Sequence, residues 1–379
     1  MAKLGDIATY INGYAFKPQD WSDEGIPIIR IQDLTGNSYQ ANRYNGEYAS
    51  KYEVNDGDVL ISWSASLGVY IWHGEKAVLN QHIFKVVFDK ERISKDFFVH
   101  QVGLILENAA SDAHGATMKH LTKPVFDALP FYLPPYEKQC EIAGILDKVT
   151  SLISLRKQQL AKLDELVKAR FVEMFGNPSN NSLGFPYEPL SNCLLSIENG
   201  KSFVCSNDMR QEENPAILKL SAVTYGVYQQ DENKAILDSS MFVKSAEVHK
   251  GDLLFTRKNT PELVGMCAYV NDTAPNLMMP DLIFRLNTNE KINKIFLWKL
   301  INHEFFRGKI QNIATGSAKS MSNISKERLE KLAIILPPLH LQNDFAALVE
   351  RVDQQKQTIQ QSLEKLELLK KALMQEYFG

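Results

Sequence analysis

Apolar residues step by four and three along two long stretches of the chain. In the first, Ile142, Leu146, Val149, Ile153, Leu160, Leu163 and Val167 form a seam completed by the cations Arg156 and Arg170. In the second, Phe345, Val349, Val352, Ile359, Leu363 and Leu366 do the same, with Lys356 and Lys370. This is a heptad spacing, and a stripe so narrow on so long a helix predicts a helical partner rather than a globular surface. Neither stretch has a Gly or Pro beyond Gly144, while Pro134-Pro135 and Pro337-Pro338 suit helix starts. Some 40 residues rising about 1.5 Å each predict helices of roughly 60 Å. Elsewhere the runs are short: Pro27–Ile31, Asp58–Ser62 and Ile83–Phe88 predict strands, and Lys95 to Asn108 predicts a helix. Strands mixed with helices in this way predict α+β domains.

The two long stretches are copies of each other. Leu133–Gly176 and Leu336–Gly379 align without a gap at an offset of 203, and 16 of the 44 pairs are identical. Both open Leu-Pro-Pro, both carry a Gln six residues on (Gln139 and Gln342), and both end Phe-Gly. Unrelated amphipathic helices share a period but not end signals at a fixed distance. The flanking regions repeat more faintly. Asn12-Gly13 matches Asn199-Gly200, Gly57-Asp58-Val59-Leu60 matches Gly251-Asp252-Leu253-Leu254, and Ile83-Phe84-Lys85 matches Ile283-Phe284-Arg285. Leu121-Thr122-Lys123 likewise matches Ile324-Ser325-Lys326, the offset growing steadily as loop insertions in the second copy require. The predicted order is therefore domain (1–132), long helix (133–178), domain (179–335), long helix (336–379). Connectivity then makes the helices an antiparallel coiled coil with a similar strand-rich α+β domain at each end, a dumbbell with a pseudo-twofold axis.

Composition narrows the class without naming the function. With 44% hydrophobic residues, no apolar run of membrane length and no signal-peptide pattern at Met1–Asp6, the chain is expected in the cytoplasm. Four scattered cysteines form neither a ligand pair nor a disulfide framework, and a net charge of −3 leaves any basic surface local. Candidate catalytic motifs fail on inspection. Leu133-Pro134-Pro135-Tyr136 has the Pro-Pro-Tyr of adenine methyltransferases, but Leu stands where a polar residue must hold the amino group, and the second copy has Leu339 for Tyr. Gly200-Lys201-Ser202 lacks the earlier Gly of a phosphate loop and reads as a turn. No histidine pair has metal spacing, no carboxylates have nuclease spacing, and a lone His82 reads as an ordinary structural histidine. No catalytic residue and no metal ligand is assigned.

What remains is recognition chemistry at the repeated turns. Ser62, Trp63 and Ser64 follow one strand; Thr256, Arg257, Lys258 and Asn259 follow its counterpart. Two Gly-led loops before the long helices carry Lys119 and His120, and Lys319 and Ser320. Such side chains suit base edges and phosphates. They change between copies while their flanks stay, as two reading surfaces on one scaffold would. At the helix ends, Lys168, Phe171 and Phe175 with Lys371, Met374 and Phe378 are candidates for docking a partner, mutual packing being the plainer reading.

In the order and duplication of these motifs, the whole chain resembles the specificity subunit of a type I restriction–modification enzyme. The resemblance rests on Leu133-Pro134-Pro135 with Gln139, Leu336-Pro337-Pro338 with Gln342, and the paired Gly-Asp and Asn-Gly turns. It implies a non-catalytic subunit whose two domains each read half of a split duplex DNA target. The helices would set the gap and dock two modification (methyltransferase) subunits and restriction subunits. S-adenosylmethionine, ATP and Mg would then belong to those partners and not to this chain. Thr150–Gln158 and Asp353–Gln361 share little, which leaves mid-helix pairing open. Two other readings stay open: a scaffold with two ligand-binding domains that do not bind DNA, and a DNA-binding subunit used in trans by another class of restriction–modification enzyme.

Overall fold

The computed structural model describes the chain except for residues 37–41, 65, 113–121 and 317–320 and the side chains at 111 and 112. It divides into two compact units, residues 1–158 with 360–379, and residues 159–359. Each unit holds one strand-rich domain, the near part of one long helix and the far part of the other. No helix among the described residues is long and apolar enough to cross a membrane.

In the first unit, Thr9–Asn12, Ile83–Val87, Val59–Ser62 and Gly68–Ile71 form a four-stranded antiparallel sheet in that order. A second sheet runs Arg43–Tyr44, Ile26–Ile29, Ala77–Leu79, Glu53–Val54, and its central pair is parallel, with Ile28 opposite Val78. The second unit rebuilds this plan. Leu194–Asn199, Ile283–Thr288, Leu253–Thr256 and Cys267–Tyr269 make the four-stranded sheet. Asn233–Ala235, Ala216–Leu218 and Leu277–Met278 make the second, again with a parallel pair, Ala216 opposite Leu277.

The repeated motifs do the same physical work in both units. Gly57 and Gly251 take φ of 80° and 86°, where a side chain would clash with its own backbone. The Asp that follows closes each turn: Asp58 Oδ2 accepts from Asn55 N at 2.8 Å, and Asp252 Oδ2 from His249 N at 2.9 Å. Each Asp also pairs with the strand cation of the third motif, Lys85 at 2.8 Å and Arg285 at 2.9 Å. Gly13 and Gly200 sit where a Cβ would lie 2.0 Å from Asn80 O and 2.1 Å from Pro280 O, so only glycine lets these chains approach.

The long helices span Tyr136–Phe175 and Leu339–Phe378, 40 residues each. Their starts are fixed by the repeated glutamines, both buried. Gln139 Nε2 donates to Pro134 O at 2.9 Å while its Oε1 accepts from Ser94 N at 2.9 Å. Gln342 Nε2 donates to Pro337 O at 2.7 Å while its Oε1 accepts from Asn293 N at 2.9 Å. One amide thus ties the Pro-Pro carbonyl to the start of the domain's own helix, Lys95–Asp112 or Lys294–Asn302. That geometry accounts for Leu-Pro-Pro with Gln as a unit.

Within the first unit, Ile142 and Leu146 share a core with Phe97, Phe98 and Phe131, and Leu373, Met374, Tyr377 and Phe378 pack onto it. Lys157 pairs with Glu367 at 3.0 Å. Within the second, Val167, Phe171 and Phe175 enter the core beside Phe296, Phe345 and Val349, and Asp164 pairs with Lys356 at 2.6 Å. In each unit the partner's residue number falls as the first helix's rises, so the paired segments are antiparallel. One seam position differs from expectation. Arg170 is exposed and pairs with Glu173, because Phe171 takes the inward place one turn after Val167.

Candidate nucleic-acid interface

Of the candidate recognition residues, Ser62, Trp63 and Ser64, and Thr256, Arg257, Lys258 and Asn259, lie where one strand of each four-stranded sheet ends. Val59–Ser62 and Leu253–Thr256 are fully buried strands, and their final hydroxyls are held internally. Ser62 Oγ donates to Ser64 O at 3.2 Å; Thr256 Oγ1 accepts from Met266 N at 2.9 Å. Both side chains are 0% exposed and Ser64 is 5%, so these three hold the framework and are not open to a ligand. That corrects their assignment as contact residues: a polar residue ending a strand was satisfied by backbone, as buried hydroxyls must be. Asn259 is also buried, donating to Thr224 Oγ1 at 3.1 Å and accepting from Thr260 N at 2.8 Å.

The next residue in each copy behaves differently. Trp63 N donates to His82 O at 3.2 Å, and Arg257 N donates to Leu282 O at 2.9 Å, so the two backbones are equivalently placed. The Trp63 ring stacks on Phe84, with centroids 5.6 Å apart and planes 23° apart. The Arg257 guanidinium lies over the ring of Phe284, 4.9 Å from its centroid. A repeated phenylalanine thus supports a flat group whose identity differs between the domains. Both flat groups are half-buried and are steadied at their polar edges. Trp63 Nε1 donates to Asn12 Oδ1 at 3.3 Å, and an Arg257 terminal nitrogen donates to Asn323 Oδ1 at 3.3 Å. Phe84, Phe284, Asn12 and Asn323 are not among the candidates, although the first three sit inside motifs whose repetition is visible in the sequence.

In the second domain the structure gathers several candidates. Lys258–Asn259 pairs with Ser322–Asn323, and Asn323 bridges back to Thr315. Asn323 therefore lies between Lys258 and Thr315. Lys319, Ser320, Lys119 and His120 themselves lie outside the described residues. Ser202 Oγ donates to Asp281 Oδ1 at 2.5 Å and Lys201 N to Met279 O at 3.0 Å, so Gly200-Lys201-Ser202 is irregular backbone held against Met279–Asp281 and not the expected turn. Among the described residues no three His, Cys, Asp or Glu side chains converge on a metal position.

The helix-end candidates divide. Phe171 and Phe175 are buried in the second domain's core, stacked and edged against Phe296 and Phe345, and so cannot meet a partner. Met374 and Phe378 are half-buried on the first domain, Phe378 against Phe97 at 5.3 Å. Lys168 and Lys371 are exposed.

A family description, "Type I restriction modification DNA specificity domain", matches residues 1–165 and again 194–368. The chain belongs to this family. The double match falls on the two copies described above. Among relatives, the type I restriction enzyme EcoBI specificity subunit of Escherichia coli is 24% identical over 69% of this chain, the match spanning 55% of that protein. The MjaVIII specificity subunit of Methanocaldococcus jannaschii is 23% identical over 99% of the chain and 90% of its own length. The crystal structure of the type I restriction-modification S subunit from M. genitalium shares the fold, with a TM-score of 0.63 at 12% identity, covering 100% of this chain and 95% of that one. The fold is thus shared with that S subunit although sequence identity is low.

Proposed function

We propose that this chain is the non-catalytic specificity subunit of a type I restriction–modification enzyme and reads a bipartite duplex DNA sequence, one half with each domain. The observation that carries the reading is the matched pair Trp63 on Phe84 and Arg257 on Phe284. A repeated platform presents a different flat, hydrogen-bonding group in each domain, as required to read two unlike half-sites from one scaffold. Arg257 suits a guanine edge, and Lys258 and the lysines of the Gly-led loops suit phosphates.

The long helices set the spacing of the two half-sites and carry partner subunits. Exposed leucines on them support docking: Leu152, Leu155, Leu368 and Leu369 in the first unit, and Leu166 in the second. A modification subunit, in two copies, and restriction subunits are the proposed occupants, bringing S-adenosylmethionine, ATP and Mg. The test is methyl transfer to duplex DNA by the full chain with and without a modification subunit. Transfer is expected only in the complex, and a rate unchanged by removing the partner would overturn the reading. Binding of the complex to random duplex should also fall steeply with salt; salt-independent binding favours the scaffold alternative.

A further inference from the structure

A cavity of about 540 Å³ lies within the second unit. Its walls are the helix Lys294–Asn302, the turn Tyr225–Val227, and segments of both long helices. Lys299 projects from the first wall, its Nζ 3.4 Å from the centroid of the Trp298 ring. Trp298 is itself fixed, its Nε1 donating to Gly226 O at 2.9 Å. Among the described residues no carboxylate oxygen comes within 4.0 Å of the Lys299 ammonium. The first unit shows what a partnered residue at this place looks like. Lys95 and Lys294 donate alike, to Gly57 O and Gly251 O, so five residues on His100 is the counterpart of Lys299. His100 Nε2 meets Asp147 Oδ1 at 2.7 Å. Lys299 is a half-buried amine beside open volume with no such partner.

We propose that Lys299 is an acceptor site for small acyl phosphates. The lone pair of Nζ attacks the acyl carbon, and the carbon–oxygen bond to phosphate breaks. Phosphate leaves with that electron pair, and the amine's proton passes to solvent, giving a neutral amide without any redox change. The cavity has room for the donor, and Lys168 and Lys356 on the opposite walls attract its phosphate. The charged groups facing Nζ are Asp164 and Lys168 from the first long helix, Asp353 and Lys356 from the second, and His303 and Glu304 beyond its own helix. Asp164 is engaged by Lys356. Burial pushes the Lys299 amine down to about 8; Asp353 opposes the shift and Lys356 adds to it. At pH 7.5 about a quarter of such amines are neutral, against roughly one in a thousand ordinary lysines.

The test treats the full chain with acetyl phosphate from pH 7.0 to 9.5, then unfolds it and caps remaining amines with deuterated acetic anhydride. Mass spectrometry reads each site's occupancy. Lys299 should react on the order of tenfold faster than exposed Lys201 and Lys250 at pH 7, the gain in neutral amine outweighing its weaker nucleophilicity. Its rate should level off above about pH 8 while theirs climb. Lys356→Gln, which removes a repelling cation and frees Asp164, should slow Lys299 at pH 7, with circular dichroism confirming the fold. A Lys299 rate at or below that of Lys201, or one still climbing in parallel at pH 9.5, overturns the proposal. So does faster acetylation by acetyl-coenzyme A at equal concentration.

Discussion

Replacing Gln342 by Ala should release the start of the second long helix from its domain while leaving the first copy intact. The side chain is 0% exposed and closes two strong contacts, Asn293 N at 2.9 Å and Pro337 O at 2.7 Å, with a third to Lys291 O at 3.3 Å. Truncation leaves a buried donor and acceptor without partners, each costing about 1–3 kcal/mol, and adds a small cavity. A local loss of about 3 kcal/mol follows, or on the order of a hundredfold in local opening. Asn293 also caps Lys294–Asn302, its Oδ1 accepting from Ile295 N at 2.8 Å, so the loss should spread into that helix. Two-unit chains need not unfold in one step, so hydrogen exchange is the proper assay. Asn293 and the first turn after it should exchange about a hundredfold faster, while Ser94, held by Gln139, keeps its protection. Gln139→Ala should give the mirror result. Unchanged exchange at Asn293, or equal loss at both places, would refute the clamp.

Three further outcomes are expected. Gly13→Ala should lower the melting temperature sharply, since its Cβ would meet Asn80 O at 2.0 Å and the backbone must move, at a cost of about 3 kcal/mol. Burial works to raise the Glu247 carboxyl, but Lys244 and the Asn276 amide outweigh it and hold the carboxyl below 4.5. A depressed carboxyl stabilises the fold above its unfolded value and loses that contribution as pH falls through the folded one. Glu247→Gln should therefore destabilise the chain at pH 7, the gap to the parent closing in denaturant titrations as the pH falls below the ordinary glutamate range. Finally, one heptad inserted between Gln158 and Gln159, with another between Ile359 and Gln360, leaves each unit's ion pair intact. It should lengthen the unread gap in the methylated sequence and spare both half-sites; an unchanged gap in an active enzyme would rule out the spacer role.

Features set by local chemistry were legible in the sequence. A positive-φ Gly followed by an Asp that closes its own turn needs only four residues, so both Gly-Asp motifs were found. The long helices showed their period and their starts, the structure opening them at Tyr136 and Leu339, just past each Pro-Pro. What depends on tertiary burial was hidden. Arg170 and Phe171 are adjacent, and a heptad count alone favoured the wrong one, because the pocket formed by Phe296 and Phe345 lies far along the chain. Ser62 and Thr256 looked like contact residues because nothing local reveals that a strand-ending hydroxyl is already bonded. The parallel pairing of Ile28 with Val78 joins segments 50 residues apart and left no local signal. The phenylalanine platform was visible as a repeat, but its role needed the stacking geometry.

The most direct measurement is the methylome of a host that expresses this chain with a modification subunit, compared for Trp63→Ala and Arg257→Ala. Each variant should alter one half of the methylated sequence, and the two should alter different halves, Arg257→Ala relaxing a single base position by about 1–3 kcal/mol. Both variants changing the same half, or neither changing either half in complexes that still methylate, would contradict the account.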